Sequence, residues 1–182
     1  SRKLIDVMAD SVHVAHQFHL PMQSGSDRIL RVMNRHYDTA QYLATVDYLR
    51  ARIPDITLTS DIIVGFPGET EEDFEELCRF VEEQRFEHMG VFTYSPEEGT
   101  PAATMDGQID EQTKQDRMDI LMKLQMQINA EQNDEKIGKT IRVLTEDYDP
   151  VSEAHFGRSA ADAPDIDGKV FFKSDRRVAP GT

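Results

Sequence analysis

Thr57-Leu58-Thr59-Ser60-Asp61-Ile62-Ile63-Val64-Gly65-Phe66-Pro67-Gly68-Glu69 is the stretch that decides the fold. Its run of Thr, Leu, Ile and Val reads as a buried strand. The Gly-Phe-Pro-Gly bend ends that strand, and Thr70 with Asp73 opens an amphipathic helix as a capping-box-like pair. In α/β sheets, ligands lie outside the carboxyl ends of the strands. Gly65 and Gly68 therefore mark where backbone could approach a small molecule with no side chain between, unless the segment is a plain βα turn.

Upstream, a helix beginning near Asp38 carries Tyr42, Leu43, Val46, Leu49 and Ile53 as an i, i+3/i+4 stripe and ends before Pro54. Before it, His19-Leu20-Pro21-Met22-Gln23-Ser24-Gly25-Ser26 reads as a strand end entering a glycine turn, with Ser26 placed to cap a helix over Asp27 to Asn34. Gln23, Ser24 and Ser26 thereby reach the same rim as the deciding loop. Leu4 to Phe18 shows no sustained period. His13, His16 and His19 recur every third residue, but no carboxylate or cysteine completes a metal-ligating set, and ordinary polar histidines are expected.

Downstream, Glu69, Glu71, Glu72, Asp73, Glu75 and Glu76 crowd a helix start, where acids complement the macrodipole. No Gly-Lys-Ser/Thr follows the glycines, and Glu69 would repel a phosphate, so this is not a phosphate loop. A strand over Met89 to Tyr94 opens into another polar loop, Ser95-Pro96-Glu97-Glu98-Gly99-Thr100. Three strand ends facing one rim, alternating with helices, predict part of a parallel (β/α) barrel or open sheet. Asp110 to Glu135 reads as a long helix whose stripe of Met118, Leu121, Leu124 or Gln125, and Ile128 is core. The composition then changes. Thr140 to Thr145, Ala154 to Gly157 and Lys169 to Lys173 are short β-like runs between Asp/Pro/Gly turns, which predicts a small barrel and a domain boundary near residue 137.

The chain has 182 residues and a formal net charge of −14, which disfavours a polyanion groove spread over its surface and favours a basic partner. Its single cysteine, Cys78, lies mid-helix and reads as core packing, which excludes a disulfide framework. No transmembrane span or signal peptide is visible, so no membrane partner and a cytoplasmic location are expected. The absence of an initial Met and the ending at Pro180-Gly181-Thr182 are the pattern of an excised piece.

Taken together, His19 to Ser26, Met33-Asn34-Arg35, Asp61 to Thr70 and Tyr94 to Ala103 resemble the second half of the radical S-adenosylmethionine methylthiotransferases. Gly157-Arg158-Ser159 with Ala161 to Gly168 is similar to the start of their TRAM domain, a small OB-like barrel. The resemblance implies an α/β fold: the C-terminal half of a partial (β/α) barrel over residues 1–137, then part of an all-β TRAM domain over 138–182. It implies binding of a 4Fe–4S cluster and S-adenosylmethionine, cleavage of the latter to a 5′-deoxyadenosyl radical, and sulfur insertion at an unactivated carbon. The radical-generating cluster of such enzymes sits on a Cys-x3-Cys-x2-Cys loop, which this sequence lacks. The chain alone is therefore expected to be inactive, with no catalytic residue and no metal ligand of its own.

By the same resemblance Gln23, Ser24, Arg35, Asp61, Ile63, Gly65 and Phe66 wall the cosubstrate. Arg35 would pair with the methionyl carboxylate, Gln23 and Asp61 would bond amino or ribose groups, and Ile63 to Phe66 would pack near adenine. The family acts on two kinds of substrate. The motifs at 19–69 are closer to the branch that modifies a tRNA adenosine. Arg85-Phe86, Phe92 to Thr100 and the tail through Phe172 are closer to the branch that modifies an aspartate β-carbon in a small-subunit ribosomal protein. The latter is favoured, since residues 138–182 hold seven Lys/Arg against eight Asp/Glu, and Asp162, Asp165 and Asp167 are expected in an exposed acidic turn that would steer a basic protein. A substrate-gripping module without chemistry is the alternative of another class.

Overall fold

The computed structural model describes residues 1–182 as two sheets joined by a long helix. β1 (Gln17–His19), β2 (Thr57–Val64) and β3 (His88–Thr93) form a parallel sheet in the order β1-β2-β3. The register sets His19 beside Thr59, Thr59 beside His88, and Asp61 beside Gly90. The connections carry α2 (Asp27–Val32), α3 (Thr39–Arg52) and α4 (Glu71–Gln84), as right-handed crossovers require.

The alternation in β2 decides which face is core. Leu58, Ser60, Ile62 and Val64 are buried, whereas Thr59, Asp61 and Ile63 are only partly covered. The strand is therefore not buried on both faces, as its apolar run predicts; one face is packed and the other lines a cleft. On the packed face α3 contributes Tyr42, Val46 and Leu49, and α4 contributes Phe74, Leu77, Phe80 and Val81, within one core of 21 buried residues. The Tyr42 ring meets Phe80 and Phe86 edge-on, with centroids 5.9 and 6.4 Å apart. Cys78 packs half-buried against the same core, as expected.

Helix starts follow their local chemistry. Asp38 accepts from Gln41 N at 2.7 Å, and Thr70 and Asp73 form a full capping box on α4. Ser26 departs from expectation. It occupies the cap position of α2, but its hydroxyl donates to Asp73 Oδ1 at 2.8 Å instead of capping the helix. Helix α2 also stops at Val32, short of Asn34, whose φ of +58° is left-handed. The N-terminal stretch is helical after all: α1 (Arg2–Asp10) buries Ile5 and Met8 and packs on α3, where Asp6 accepts from Tyr48 (2.6 Å) and Arg52 (2.9 Å).

Helix α5 (Glu111–Asp134) is capped by Asp110 and buries Lys114, Arg117, Leu121, Gln125 and Ile128. Two of these five are cations, so the stripe is less apolar than predicted, and Met118 is only partly buried. Beyond it β4 (Leu144–Asp149), β5 (Ala154–Arg158) and β6 (Val170–Phe172) make an antiparallel sheet. β4 begins four residues later than the run predicted at Thr140. At Gly157 a Cβ would stand 2.1 Å from the Leu144 carbonyl oxygen, so only glycine permits that strand approach. No helix is long and apolar enough to cross a membrane.

The two sheets meet through residues 161–167. Gln17 Nε2 donates to Ala161 O at 3.4 Å, and His88 lies between Asp167 Oδ1 (3.4 Å) and Asp162 Oδ1 (4.0 Å). The expected exposed acidic turn is thus corrected: only Asp165 of the three is exposed. Asp162 also accepts from Ser159 N, and Asp167 from Ala163 N, because a short polar loop satisfies its own amides with its nearest carboxylates.

Candidate functional site

Gln23 is the hinge of the candidate site. Its N–H donates to Asp61 O at 2.9 Å and its carbonyl accepts from Ile63 N at 2.9 Å, so it is clamped on β2 as an isolated parallel bridge with Ile62. Its φ of +72° is costly for a residue with a Cβ, and persists because those two bonds determine it. The side chain is thereby turned to Arg35, whose Nη2 donates to Gln23 Oε1 at 3.0 Å. The Arg35 guanidinium is exposed and has no carboxylate within ion-pair distance, in a chain where acids outnumber bases 34 to 20.

Asp61 shares the strand but not the pair. Its Oδ2 lies 3.3 Å from His19 Nε2, and a Cβ on neighbouring Gly90 would come within 2.8 Å of its Oδ1. His19, expected as an ordinary polar histidine, thus sits against the Asp61 carboxylate. Ile63 extends from the same partly covered face. Backbone pairing sets Gln23 against Asp61 and Ile63 of β2, and the Gln23 side chain adds Arg35 from a third segment.

Three other predicted residues turn elsewhere. Ser24 is buried and its Oγ accepts from Ser26 N, so its hydroxyl is spent inside the turn. Gly65 (φ +71°) is bare because Lys114 of α5 needs the space: an added Cβ would lie 2.3 Å from Lys114 Cγ. Phe66 is buried edge-on to Tyr94, centroids 5.1 Å apart. The second glycine, Gly68, already donates its N–H to Gly107 O at 2.8 Å. The glycines thus serve the packing of α5 and its preceding loop against the strand end.

What locks that end is Glu69, which the acidic run disguised as a dipole-complementing residue. It is 4% exposed, and Oε1 accepts from Gly65 N (2.9 Å) and Arg117 Nη1 (2.7 Å). Burial pushes its carboxyl upward, opposed by the Gly65 amide and Arg117. Asp73 shows the opposite balance. Burial again raises it, but Arg28, Thr70 and Ser26 all bond its oxygens and hold it well below the usual carboxylate range.

A cleft of about 700 Å³ opens on the other face of the sheet, lined by β2, β3, α5 and the 163–167 loop. Asp61 is the one predicted site residue within it.

Two of the implied groups can be tested against these residues. An unpaired guanidinium beside a carboxamide fits the α-carboxylate of S-adenosylmethionine. An iron–sulfur cluster does not fit: burial, then Glu82 and Glu71, push the Cys78 thiol up to about 11, and no three His, Cys, Asp or Glu side chains converge to hold a metal.

A parallel strand–helix unit with this loop, followed by a three-stranded antiparallel sheet, defines the class. Residues 1–81 match the radical SAM superfamily, and residues 137–182 match the TRAM domain. The chain is 46% identical over 179 residues to the ribosomal protein uS12 methylthiotransferase RimO of Pelotomaculum thermopropionicum, covering 98% of this chain and 40% of that protein. It is 46% identical over 162 residues to the protein of the same name from Klebsiella pneumoniae (89% of this chain, 36% of that one). It is 44% identical over 162 residues to the tRNA-2-methylthio-N(6)-dimethylallyladenosine synthase of Kineococcus radiotolerans (89% and 32%). The chain belongs to the radical S-adenosylmethionine methylthiotransferase family, and spans 40% or less of the length of these curated relatives.

Proposed function

We propose that this chain is the cosubstrate-holding and substrate-facing part of an enzyme that methylthiolates an aspartate β-carbon in a small-subunit ribosomal protein, working in the cytoplasm. The observation that carries the cosubstrate half is the Arg35–Gln23 pair clamped on β2, a cation with no protein counter-ion at a strand end. Arg35 holds the methionyl carboxylate, Gln23 fixes that guanidinium and presents its amide to the amino group, and Asp61 and Ile63 border the ribose and adenine. Ser24, Gly65 and Phe66 shape this wall from behind. When bound, S-adenosylmethionine supplies the cleavable carbon–sulfur bond from which hydrogen abstraction begins. The 4Fe–4S clusters that this chemistry needs are held by residues outside this chain, and the domain division is placed at 137/138.

The substrate half rests on relatives named for uS12 and on a C-terminal region with no excess of cations, a poor match to a phosphate backbone. A tRNA adenosine is the second reading, favoured by relatives at 44–45% identity named for it. To separate them, the protein carrying this chain is loaded with clusters and offered each substrate, with methylthio incorporation read by mass spectrometry. Modification of the ribosomal aspartate is expected. Modification of tRNA alone overturns the substrate assignment, and absence of S-adenosylmethionine binding by calorimetry leaves only a binding module.

A further inference from the structure

Helix α5 brings two buried cations, three residues apart and therefore on one face, to the two ends of the bend that closes β2. Arg117 takes the Glu69 end and Lys114 the Gly65 end. Lys114 is 2% exposed, and its stem fills the space that a Cβ on Gly65 would need. Its ammonium donates to Glu111 Oε1 at 2.6 Å, a carboxylate whose own side chain is 80% exposed. Lysine is rarely enclosed to this degree, and a methionine would fill the same volume without desolvating a charge. The ammonium stands over the Tyr94 ring, 5.4 Å from its centroid. The Tyr94 hydroxyl is buried with no hydrogen-bond partner, so nothing at the tip of the ring orients it. Its orientation is set by Phe66, edge-on at 5.1 Å, and by the Lys114 charge, while its backbone N–H donates to Val64 O at 2.8 Å and joins the ends of β2 and β3.

We propose that Lys114 is a positioning residue for the cosubstrate: its stem fixes the Gly65 bend, and its charge holds the Tyr94–Phe66 pair that backs the wall. The cation acts through these groups and touches no part of S-adenosylmethionine. This deepens the reading of the strand end as the cosubstrate wall, and rests on it, by adding a residue of α5 that lies outside the strand–loop motifs. Without the charge, the Tyr94 ring is free to turn and Phe66 loses a fixed partner. The fold meanwhile is relieved of a desolvated ammonium, and the Glu111 carboxylate left behind is already solvated. Stability and affinity, which fall together when a residue is merely structural, should here move apart.

The test uses the cluster-loaded protein carrying this chain, with its tyrosine rings labelled with 13C. Lys114→Met keeps the stem and removes the charge. Its denaturant midpoint should lie at or above that of the parent, while S-adenosylmethionine binding by calorimetry should weaken about fivefold. KM for S-adenosylmethionine should rise to match, with kcat little changed. The Tyr94 ring resonances should move in this variant before any ligand is added. Lys114→Arg, which restores a cation able to stack on the ring, should recover most of the affinity. Unchanged affinity in Lys114→Met would overturn the proposal, as would a Tyr94 ring that stays fixed, or a loss of stability that parallels the loss of affinity and that Lys114→Arg does not reverse. If Arg35→Ala weakens binding and Lys114→Met does not, the cosubstrate reading stands and this assignment fails. If Lys114→Met weakens binding as described and Arg35→Ala does not, the role given to Arg35 fails and that of Lys114 is supported.

Discussion

The α/β part, through Asp134, and the small β part, from Leu144, hold their shapes by different means. The first buries a continuous apolar core in which Met22, Leu30, Val46, Leu49, Ile62 and Leu77 are fully enclosed. In the second, Ala154 is the one buried hydrophobic residue, with Thr145 and His155 as its buried polar companions, and Phe171 is 56% exposed. Its sheet is set by strand pairing, by the bare Gly157, and by aromatic contacts such as His155 stacked on Phe172 at 5.4 Å. A thick core fixes the positions of the side chains at its strand ends, while a thin sheet leaves most of its side chains exposed.

The largest effect should come where the α/β part buries charge. Glu69→Ala removes the buried counter-ion of Arg117 and leaves it only the exposed Glu71, 3.2 Å away, so it should cost about 3 kcal/mol in denaturant unfolding. Adding Arg117→Met should recover part of that loss. A cost for the single variant no greater than that of an exposed carboxylate would mean that the loop 65–69 is not locked through this pair.

Close to it in size, Leu77→Ala should cost about 2 to 5 kcal/mol, while Phe171→Ala should cost less than about 1 kcal/mol, since a half-exposed ring loses little burial. Chemical denaturation of both variants measures the contrast. Equal costs would erase the distinction between the two parts.

The same contrast governs what could be read from the sequence. β2, α3 and α4 were legible because their patterns are local: a Thr/Ile/Val run, a 3–4 stripe, and Thr70 three residues before Asp73. Helix α1 was not, because only Ile5 and Met8 face the core and its polar residues are satisfied by α3. Gln23, Arg35 and Asp61 could be named from the motifs, but the left-handed clamp that joins them is a tertiary bond pattern. Glu69 hid in a run of acids whose partner lies 48 residues away. Asp162 and Asp167 looked like a solvated turn because their contact, His88, sits in the other sheet.

A smaller effect is expected on binding. Arg35→Ala removes an exposed guanidinium with one protein hydrogen bond, so thermal unfolding should stay near that of the parent. S-adenosylmethionine affinity, by calorimetry on the cluster-loaded protein, should fall by about 1 to 3 kcal/mol. Asp61→Asn should weaken it within the same range. Unchanged affinity in both variants would move the cosubstrate away from this rim.

The smallest net effect is in acid, because two buried carboxylates of the α/β part oppose one another. Glu69 has a raised carboxyl. Its contribution is fully present below the unfolded value of about 4.3 and is lost as pH rises through the higher folded value. Asp73 is depressed. Its contribution is present above about 3.9 and is lost as pH falls through the lower folded value. On acidification from neutral, Glu69 therefore adds stability first and Asp73 removes it afterwards. Thermal unfolding across this range should show a shallower acid loss in Asp73→Asn, whose amide cannot titrate, and a steeper one in Glu69→Gln, which lacks the early gain. If Glu69→Gln instead flattens the acid limb, then Arg117 outweighs burial at Glu69, and the strand end is held by a favourable ion pair instead of a carboxylate kept in place against its desolvation.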